Sequence, residues 1–473
     1  FKHDFVNEDQ PENVKWWFQQ FEGQVTFARD NNLQPTHEIA ESWKHYEMYN
    51  NEKLSFANRD QGVGPMITTT WDQSWAYNYY CPVDPAGPGG HTYAGCGATM
   101  MAQILYYWRW PDHGQGDHCY TPQIHPEYGE QCADFENTWY RWDEMIDQPL
   151  SQPIATAIAE LLYHLGVSLD MNYNTVGGSA PILGYYAPFL PEYFRFNSSY
   201  ENIYRDSVDL VFFRENLRDE LNQKKPVPYA GASDNYSSIH AFICDGYQDS
   251  LYFHFNLGWS GNSDGYYLID QILGYSFHQY YISGLLPDTT ANVYPIYENG
   301  ADTLNFIQGS ITDGSGPIHN YLNNTLASWL IDPQTEEDSV TNITLEIKRL
   351  DLFDDADRLY IYDGEDDSAP LLAELSGSDL PETINSNGNK VFVEFISDNE
   401  NTAEGFYIVY LANQPDFCDG ISYLTELSGV FGDGSMNFNY YNSAMCQWYL
   451  MPETGQPLTL NFNYFDTEEG HDF

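Results

Sequence analysis

The sequence is poor in basic residues. Its 473 residues include 18 lysines and arginines against 69 aspartates and glutamates, a formal net charge of −51 at pH 7. Phosphate backbones and anionic bilayers are bound mainly through Lys and Arg, so this balance argues against nucleic acid and membrane surfaces as partners. We interpret the acidic surface as one that keeps an exported protein in solution.

Long hydrophobic runs are also missing. No stretch of about 18 apolar residues occurs, which excludes a membrane-spanning helix. The first residues, FKHDFVNEDQ, contain neither a basic n-region nor an apolar h-region, so no signal peptide is visible. We expect that a signal lies upstream of a chain that begins inside a longer protein. A hydrophobic content of 42% is nevertheless sufficient for several folded cores.

Cysteines are few and odd in number: Cys81, Cys96, Cys119, Cys132, Cys244, Cys418 and Cys446. An odd count in an exported protein indicates at least one thiol outside a disulfide, and Cys96 is the candidate. Cys119 is close enough to Cys132 in sequence to form a disulfide, and Cys418 and Cys446 flank a predicted strand pair that a second disulfide would join. Cys81 and Cys244 are expected to be buried thiols.

The chain changes character twice along its length. Residues 1–62 are polar and mostly helical in pattern, and the segment DQGVGPM then interrupts that pattern. From 67 to 287 we predict helices at 98–109, 153–166 and 207–223, followed by antiparallel strands in 240–268. Helices first and strands later favour an α+β domain.

A repeat begins after residue 295. The segment 309–333 is similar to 429–452, with Gly309, Asp313, Gly314 and Tyr321 recurring 120 positions later. Short strands and turns in both copies predict all-β sandwich modules. The second copy stops at Phe473, roughly halfway through the pattern, so we expect a truncated chain.

The stretch HTYAGCGATMMAQILYYWRW places Cys96 at the first turn of an apolar helix. A thiol is a nucleophile as thiolate, and the positive end of a helix stabilises that form. Gly95 permits a tight turn into the helix, and Gly97 would let a substrate backbone approach the sulfur. A lone cysteine in such a place is more often a core residue, so companion residues must decide.

Those companions are present. His240 follows Cys96 by 144 residues on a predicted strand, a separation typical of papain-like Cys–His pairs. The side-chain carbonyl of Asn256 is a candidate acceptor for the His240 Nδ1–H, and Trp259 would shield that bond from water. Gln73, before Cys96, is a candidate oxyanion donor.

Four ordered motifs, WDQSWAYNYYCP, GCGATMMAQILYYWRWP, HAFICDGY and FHFNLGWSGNSDGYYLI, together resemble the streptopain family of papain-fold cysteine peptidases. The resemblance covers about 67–287. It implies that Cys96 is the nucleophile and His240 the general base. It also implies that Gln73 is the oxyanion glutamine and that Asn256 and Trp259 belong to the segment that orients the histidine.

The sequence departs from the family at two places. Leu257 stands where many relatives have Trp, and Ser238-Ile239 replaces a Gly-Gly pair before the histidine. Ile239 therefore lies where the cleft is expected, which affects substrate preference. Residues 1–62 resemble the end of the family's pro-segment, which implies a zymogen cleaved in 57–66; an ordinary helical extension is the alternative.

Metal sites are weakly indicated. His113, His118 and Cys119 lie in a Gly-rich loop whose spacing fits no standard zinc pattern, so we expect no zinc there. The repeats resemble CUB domains, covering 298–411 and a partial copy from 418. Many CUB domains bind calcium; Asp357 and Asp398 match two ligand positions, with Asp354 or Asp355 as a third. A merely solvated acidic loop explains these residues equally well.

The sequence thus predicts a secreted or cell-surface cysteine endopeptidase, made as a zymogen, that needs no cofactor for catalysis and acts on proteins or peptides. Its expected parts are a pro-segment (1–62), a papain-like α+β domain (63–290), a CUB-like β-sandwich (298–411) and a truncated second repeat (418–473). The C-terminal modules would bind a surface or partner.

Three other functions stay open. A non-catalytic adhesion protein on a peptidase scaffold would need the Cys, His or Gln to be missing, and all three are present. An acyltransferase would use the same Cys–His pair with an amine as acceptor. A peptidase inhibitor is disfavoured by the full-length catalytic domain.

Overall fold

The computed structural model describes Arg29 and residues 62–467, apart from 148–155, 182–187, 235–237, 250, 291, 336–337, 436–437, 441–443 and 453–456. The chain separates into two units, Phe1–Gln61 and Gly62–Phe473. Apart from Arg29 and Gly62, the predicted pro-segment lies outside the described residues, and the predicted cleavage region is described only from Gly62 onward.

The helices of the described catalytic region are α1 (Cys96–Trp108), α2 (Thr156–Ser168), α3 (Phe189–Tyr193) and α4 (Leu210–Asn222). Helix α1 is buried almost throughout, and it ends where Arg109 adopts a left-handed conformation with φ of 47°. Helix α4 is amphipathic and begins at Asp209, whose side chain accepts a hydrogen bond from the Phe212 N–H. The three helices predicted from the sequence are confirmed, with ends shifted by one to three residues.

A small hairpin and a short strand pair precede the main sheet: β1 (Asp117–Tyr120) with β2 (Gln131–Asp134), and β3 (Met171–Asn172) with β4 (Ala180–Pro181). The predicted Cys119–Cys132 disulfide joins β1 to β2. Cys81 and Cys244 are buried thiols, as predicted, and burial raises the pKa of both. Buried apolar surroundings make these two sulfurs poor nucleophiles.

The main sheet is antiparallel, with strand order β5-β10-β6-β7-β8-β9. Its strands are β5 (Glu201–Tyr204), β6 (Val227–Ala232), β7 (Ile239–Gln248), β8 (Tyr252–Asn256), β9 (Gly265–Leu268) and β10 (Phe277–Ser283). One core joins α1 to Ala230, Ala241 and Ile243 of the sheet. A second core packs α4 against other sheet residues, including Phe242 and Phe255. The predicted α+β domain is therefore confirmed, and β7, β8 and β9 are the strands predicted in 240–268, while β5, β6 and β10 lie outside that range.

A β-sandwich follows. Its five-stranded sheet has the order β11-β13-β18-β15-β16, and its four-stranded sheet the order β12-β19-β14-β17. The strands are β11 (Gly300–Leu304), β12 (Gln308–Thr312), β13 (Leu326–Ile331), β14 (Asn342–Asp351), β15 (Arg358–Tyr362), β16 (Leu371–Leu375), β17 (Ile384–Asn385), β18 (Val391–Ile396) and β19 (Gly405–Asn413). Alternate residues of these strands are buried in one core, as the period of two requires.

The second repeat contributes β20 (Gly420–Leu424) and β21 (Cys446–Leu450), which pair in parallel from Gly420 opposite Cys446. The first repeat has the matching parallel pair, β11 with β13, from Gly300 opposite Ala327. Gly300 and Gly420 are separated by the sequence offset of 120, so the two repeats pair their corresponding strands in the same way. The predicted Cys418–Cys446 disulfide is also present.

The four-stranded sheet of the sandwich contacts the C-terminal end of α1. The Tyr106 hydroxyl lies 2.9 Å from the Tyr407 hydroxyl, and Arg109 Nη2 donates to Ser310 Oγ over 2.5 Å. The Tyr407 hydroxyl also donates to Asp147 Oδ1 over 2.7 Å. A cavity of about 360 Å³ lies along this contact, away from Cys96. No helix in the described part of the chain has the length and apolar character needed to cross a bilayer.

Candidate active site

Cys96 begins α1, and the residue before it must be glycine. Gly95 has φ of 101°, a backbone conformation that other residues rarely adopt. A Cβ at Gly95 would also lie 2.8 Å from Met171 Cε and 3.0 Å from Ser179 O. Cys96 is partly exposed while the rest of the first turn is buried, so the helix is fixed by its core and presents the sulfur at its positive end.

Gln73 lies beside this turn. The backbone carbonyl of Gln73 accepts a hydrogen bond from the N–H of Ala94 over 2.9 Å. Ala94 precedes Cys96 by two residues, so this bond holds the Gln73 backbone next to the start of α1. The Oε1 atom of Gln73 is buried without a hydrogen-bond partner among the described residues. Gly178, with φ of 90°, passes over the carboxamide so closely that a Cβ would lie 3.0 Å from Oε1. The backbone of Gln73 is thus held close to the start of α1, and its Oε1 has no hydrogen-bond partner among the described residues.

His240 lies on β7 and is 5% exposed. Its Nε2 is 2.9 Å from the backbone carbonyl oxygen of Leu257. The Trp259 ring stacks on the imidazole, with centroids 4.6 Å apart and an interplanar angle of 17°, and Tyr275 packs against the same ring. If Nε2–H donates to the carbonyl, Nδ1 is the nitrogen left to exchange a proton with another group.

The predicted hydrogen bond from His240 to the Asn256 side chain is wrong. Asn256 Oδ1 instead accepts from Gln103 Nε2 over 3.2 Å and from Gly258 N over 3.1 Å. Asn256 Nδ2 donates to the Thr69 carbonyl over 2.8 Å. The amide of Asn256 therefore faces α1 and shapes the turn, while the carbonyl of the next residue contacts the imidazole.

The turn that contacts His240 also packs on the helix that begins with Cys96. A Cβ at Gly258 would lie 3.2 Å from Thr99 Cγ2. Thr99 is one turn after Cys96, and its hydroxyl donates to the Gly95 carbonyl over 3.1 Å. The Asn256–Trp259 segment thus touches the first turn of α1 on one side and the imidazole on the other.

The remaining predicted substrate-binding residues differ in exposure. Ile239 is 59% exposed at the start of β7, next to His240. Gly97 is buried inside α1. Sequence reasoning missed Gln103, Thr69 and the Leu257 carbonyl. Gln103 did give a signal, since it is a polar residue in the apolar run ATMMAQILYYW.

The metal-binding alternatives are not supported by the donors present. Cys119, Glu130 and Cys132 form the described cluster compact enough to share an ion, but both sulfurs belong to the disulfide and offer no thiolate. His118 bonds to Asp170 Oδ1 over 2.7 Å, and the His113 ring accepts from Arg195. His113, His118 and Cys119 are thus each engaged with another side chain.

An α+β domain with a cysteine at the start of its central helix and a histidine on the adjoining sheet belongs to the papain-like cysteine peptidases. Residues 71–267 match the Peptidase C10 family, and residues 301–410 match the CUB domain. Residues 71–267 are therefore a Peptidase C10 (streptopain family) domain, and a CUB domain follows it in the chain.

Curated relatives agree with this assignment. The chain is 26% identical over 326 residues to the thiol protease/hemagglutinin PrtT of Porphyromonas gingivalis, covering 64% of this chain and 36% of the relative. It is 30% identical over 216 residues to streptopain of Streptococcus pyogenes, covering 43% of this chain and 54% of the relative. It is similar to the structure of active Prevotella intermedia interpain A, with 30% identity, a TM-score of 0.44, and coverage of 48% of this chain and 96% of that chain. The chain thus spans about a third to a half of the curated relatives it matches.

Proposed function

We propose that the protein is a cysteine endopeptidase that hydrolyses protein substrates through Cys96 and His240. The observation that supports this most is the joint packing of the Asn256–Trp259 turn against the His240 ring and the first turn of α1. The turn contacts the imidazole on one side and, on the other, the first turn of the helix that carries the sulfur, and a general base next to a thiol nucleophile is what the proposed reaction requires.

The proposed reaction has two steps. The Cys96 thiolate attacks the peptide carbonyl carbon, and the Gln73 side-chain amide and the Cys96 N–H stabilise the oxyanion. The His240 imidazolium gives its proton to the leaving amine, which leaves a thioester on Cys96. A water molecule then gives one proton to His240 and attacks the thioester, which releases the acid product and the thiolate.

Residues beside the reacting atoms would bind the substrate backbone and side chains. We assign this role to Ile239, whose exposed side chain adjoins His240, and to the Gly95 and Gly97 backbone around the nucleophile. Asn256 and Trp259 position the base rather than touching substrate. A β-branched side chain in place of glycine at residue 239 narrows the cleft, so we expect a preference for extended substrates with small side chains at that point.

We also propose that the protein is exported and made as a zymogen. Two disulfides fit an oxidising compartment. Met66 N donates to the Asp245 carbonyl over 3.0 Å, and Tyr247 N donates to the Val63 carbonyl over 2.8 Å. These bonds tie 63–66 to β7, the strand that carries His240, so maturation would cut before Val63, within the N-terminal part of the 57–66 region.

The CUB domain is proposed to bind a protein partner with its five-stranded sheet, since Ser310 and Tyr407 of the other sheet contact the catalytic domain. Calcium binding is proposed at Asp357 and Asp398. Asp357 is fully buried, and its Oδ1 accepts from Asp398 N over 2.9 Å, so the two residues adjoin. In the described residues no third carboxylate joins them within one coordination sphere, so we expect weak binding completed by water.

Cys96→Ala tests the proposed activity. Purified chain should digest casein and process itself N-terminal to Val63, and Cys96→Ala should lower kcat/KM by more than about 10⁴-fold without changing the melting temperature. A thiol alkylator should abolish the wild-type activity. Cys81→Ala, which removes a buried thiol, is the control and should keep the wild-type activity per folded molecule. Undigested casein with reduced wild-type enzyme would overturn the proposal. Transfer of the acyl group to an added amine in preference to water would identify an acyltransferase instead.

A further inference from the structure

We propose that Gln103 is a positioning residue that locks the His240-contacting turn to the nucleophile helix. This inference depends on the proposed peptidase activity, and it concerns the reaction rather than the fold alone. Gln103 is on α1, about two turns after Cys96, and is 1% exposed. A buried amide must satisfy both its carbonyl and its N–H groups, so its partners show which segments it holds.

Gln103 holds two segments besides its own helix. Its Oε1 accepts from the Thr69 hydroxyl over 2.7 Å and from Trp71 N over 3.3 Å, in the strand-like segment that leads to Gln73. Its Nε2 donates to Asn256 Oδ1 over 3.2 Å. The nucleophile, the oxyanion glutamine and the base therefore meet through one side chain that touches none of them.

The route from Gln103 to the imidazole is short. Asn256 uses the same Oδ1 to accept from Gly258 N, and its Nδ2 donates to the Thr69 carbonyl. Leu257 thus lies between two residues that are fixed by hydrogen bonds, and the Leu257 N–H itself donates to Asp264 Oδ1 over 2.8 Å. Its carbonyl is the oxygen that lies 2.9 Å from His240 Nε2. Without Gln103, the turn would lose a side-chain anchor, and the imidazole would be less well oriented toward Cys96.

Gln103→Met tests this inference, because methionine has nearly the same length and helix propensity but no polar hydrogen. We expect kcat/KM to fall about tenfold or more with a smaller change in KM, since small displacements of catalytic groups are costly. The rate of Cys96 alkylation should also fall. The rise of that rate with pH should shift to higher pH by about one unit, because a displaced imidazolium stabilises the thiolate less. A purely structural role would change the melting temperature and leave the pH profile of folded molecules in place.

A double-mutant cycle sharpens the test. If Gln103 acts through Asn256, then Gln103→Met with Asn256→Ala should lose little more activity than Asn256→Ala alone. Gln131→Met is the matched control: Gln131 is also a buried glutamine, 7% exposed, but it donates to the Tyr128 carbonyl in the disulfide-linked hairpin. It should keep the wild-type pH profile.

The outcomes are separable. Inactive wild-type enzyme would overturn the proposed function, whereas active wild type with an equally active Gln103→Met of unchanged pH profile would overturn the inference about Gln103. Additive losses in the cycle would also overturn it. If Gln103→Met does not fold, Thr69→Val removes the hydroxyl that anchors Gln103, and it should produce the same shift of the alkylation profile with a loss of about threefold.

Discussion

The catalytic domain and the CUB domain both bury polar side chains, but the side chains differ in chemistry and in what they hold together. Around the proposed nucleophile Cys96 the connecting groups are amides: Gln103 and Asn256 donate and accept at once, and so join three segments. In the CUB domain they are carboxylates, Asp313 and Asp357, which mostly collect N–H and O–H groups from loops. An amide network fixes the relative position of side chains, whereas a buried carboxylate closes loops.

This contrast has a simple consequence. Substitutions in the amide network should affect activity more than stability, because they displace groups that take part in the reaction. Substitutions of the CUB carboxylates should affect stability alone, because the groups that donate to them all belong to that domain. The predictions below test each side of the contrast, in order of expected effect.

The largest stability effect is expected for Asp313→Asn. Asp313 is 2% exposed, and its two oxygens accept from Ser315 N and Phe406 N over 2.9 Å each. Gly405 approaches the carboxylate so closely that only a residue without a Cβ fits there. The side-chain amide of an asparagine would place its N–H against one of these two backbone N–H groups. We therefore expect a loss of about 2–3 kcal/mol in the free energy of unfolding.

Urea unfolding, with hydrogen exchange of β19 amides, would measure this loss. Peptidase activity per folded molecule should stay at the wild-type value. Asp366→Asn is the matched control, because Asp366 accepts from Ser368 N in an exposed turn, and it should unfold like the wild type. A fall in activity without a fall in stability would contradict the division between the two networks.

The second prediction concerns the loss of folding stability at acidic pH. His164 is buried on α2, with the Tyr140 hydroxyl 3.2 Å from its Nδ1, and burial lowers the pKa of His164 from its usual 6.5 to about 4. The unfolded chain therefore binds this proton at a higher pH than the folded chain. Stability is lost as pH falls from about 6.5 toward 4, and between pH 7 and pH 5 this one group should account for about 2 kcal/mol.

His164→Gln should remove that part of the pH dependence. The comparison is the difference in unfolding free energy between pH 7 and pH 5, measured for the wild type and the variant. Equal pH dependence in the wild type and in His164→Gln would show that His164 is not a buried neutral group.

Much of this architecture was predictable from sequence because local pattern and motif order are strong signals. The α1 helix, the strands of 240–268, both disulfides and the paired repeat were all predicted. The direct bond between Asn256 and His240 was not correct, because which of two adjacent groups contacts a ring depends on the turn geometry. Gln103 was overlooked as a partner because its role exists only once 69–71, α1 and 256–258 come together in the fold.

The contact between the catalytic domain and the CUB domain was also absent from the sequence prediction. Tyr106, Arg109 and Ser310 are ordinary residues in their own segments, and their pairing depends on how two domains dock. The docking matters for the comparison, because the segment 145–147 contacts both Tyr407 and the residues just before Gln73. The docking contact therefore reaches Thr70, which adjoins Thr69 of the amide network.

The smallest expected effect is that of calcium on the CUB domain. Asp357 already accepts from the Tyr321 hydroxyl and from Asp398 N, so the loop is satisfied without an ion. With a dissociation constant on the order of 1 mM, 5 mM calcium would stabilise the folded domain by about 1 kcal/mol. We expect a small rise in melting temperature with calcium, a smaller one with magnesium because it demands stricter geometry, and none in Asp398→Asn. A rise that persists in Asp398→Asn would assign the ion to another acidic loop, and it would mean that these buried carboxylates act only in closing the fold.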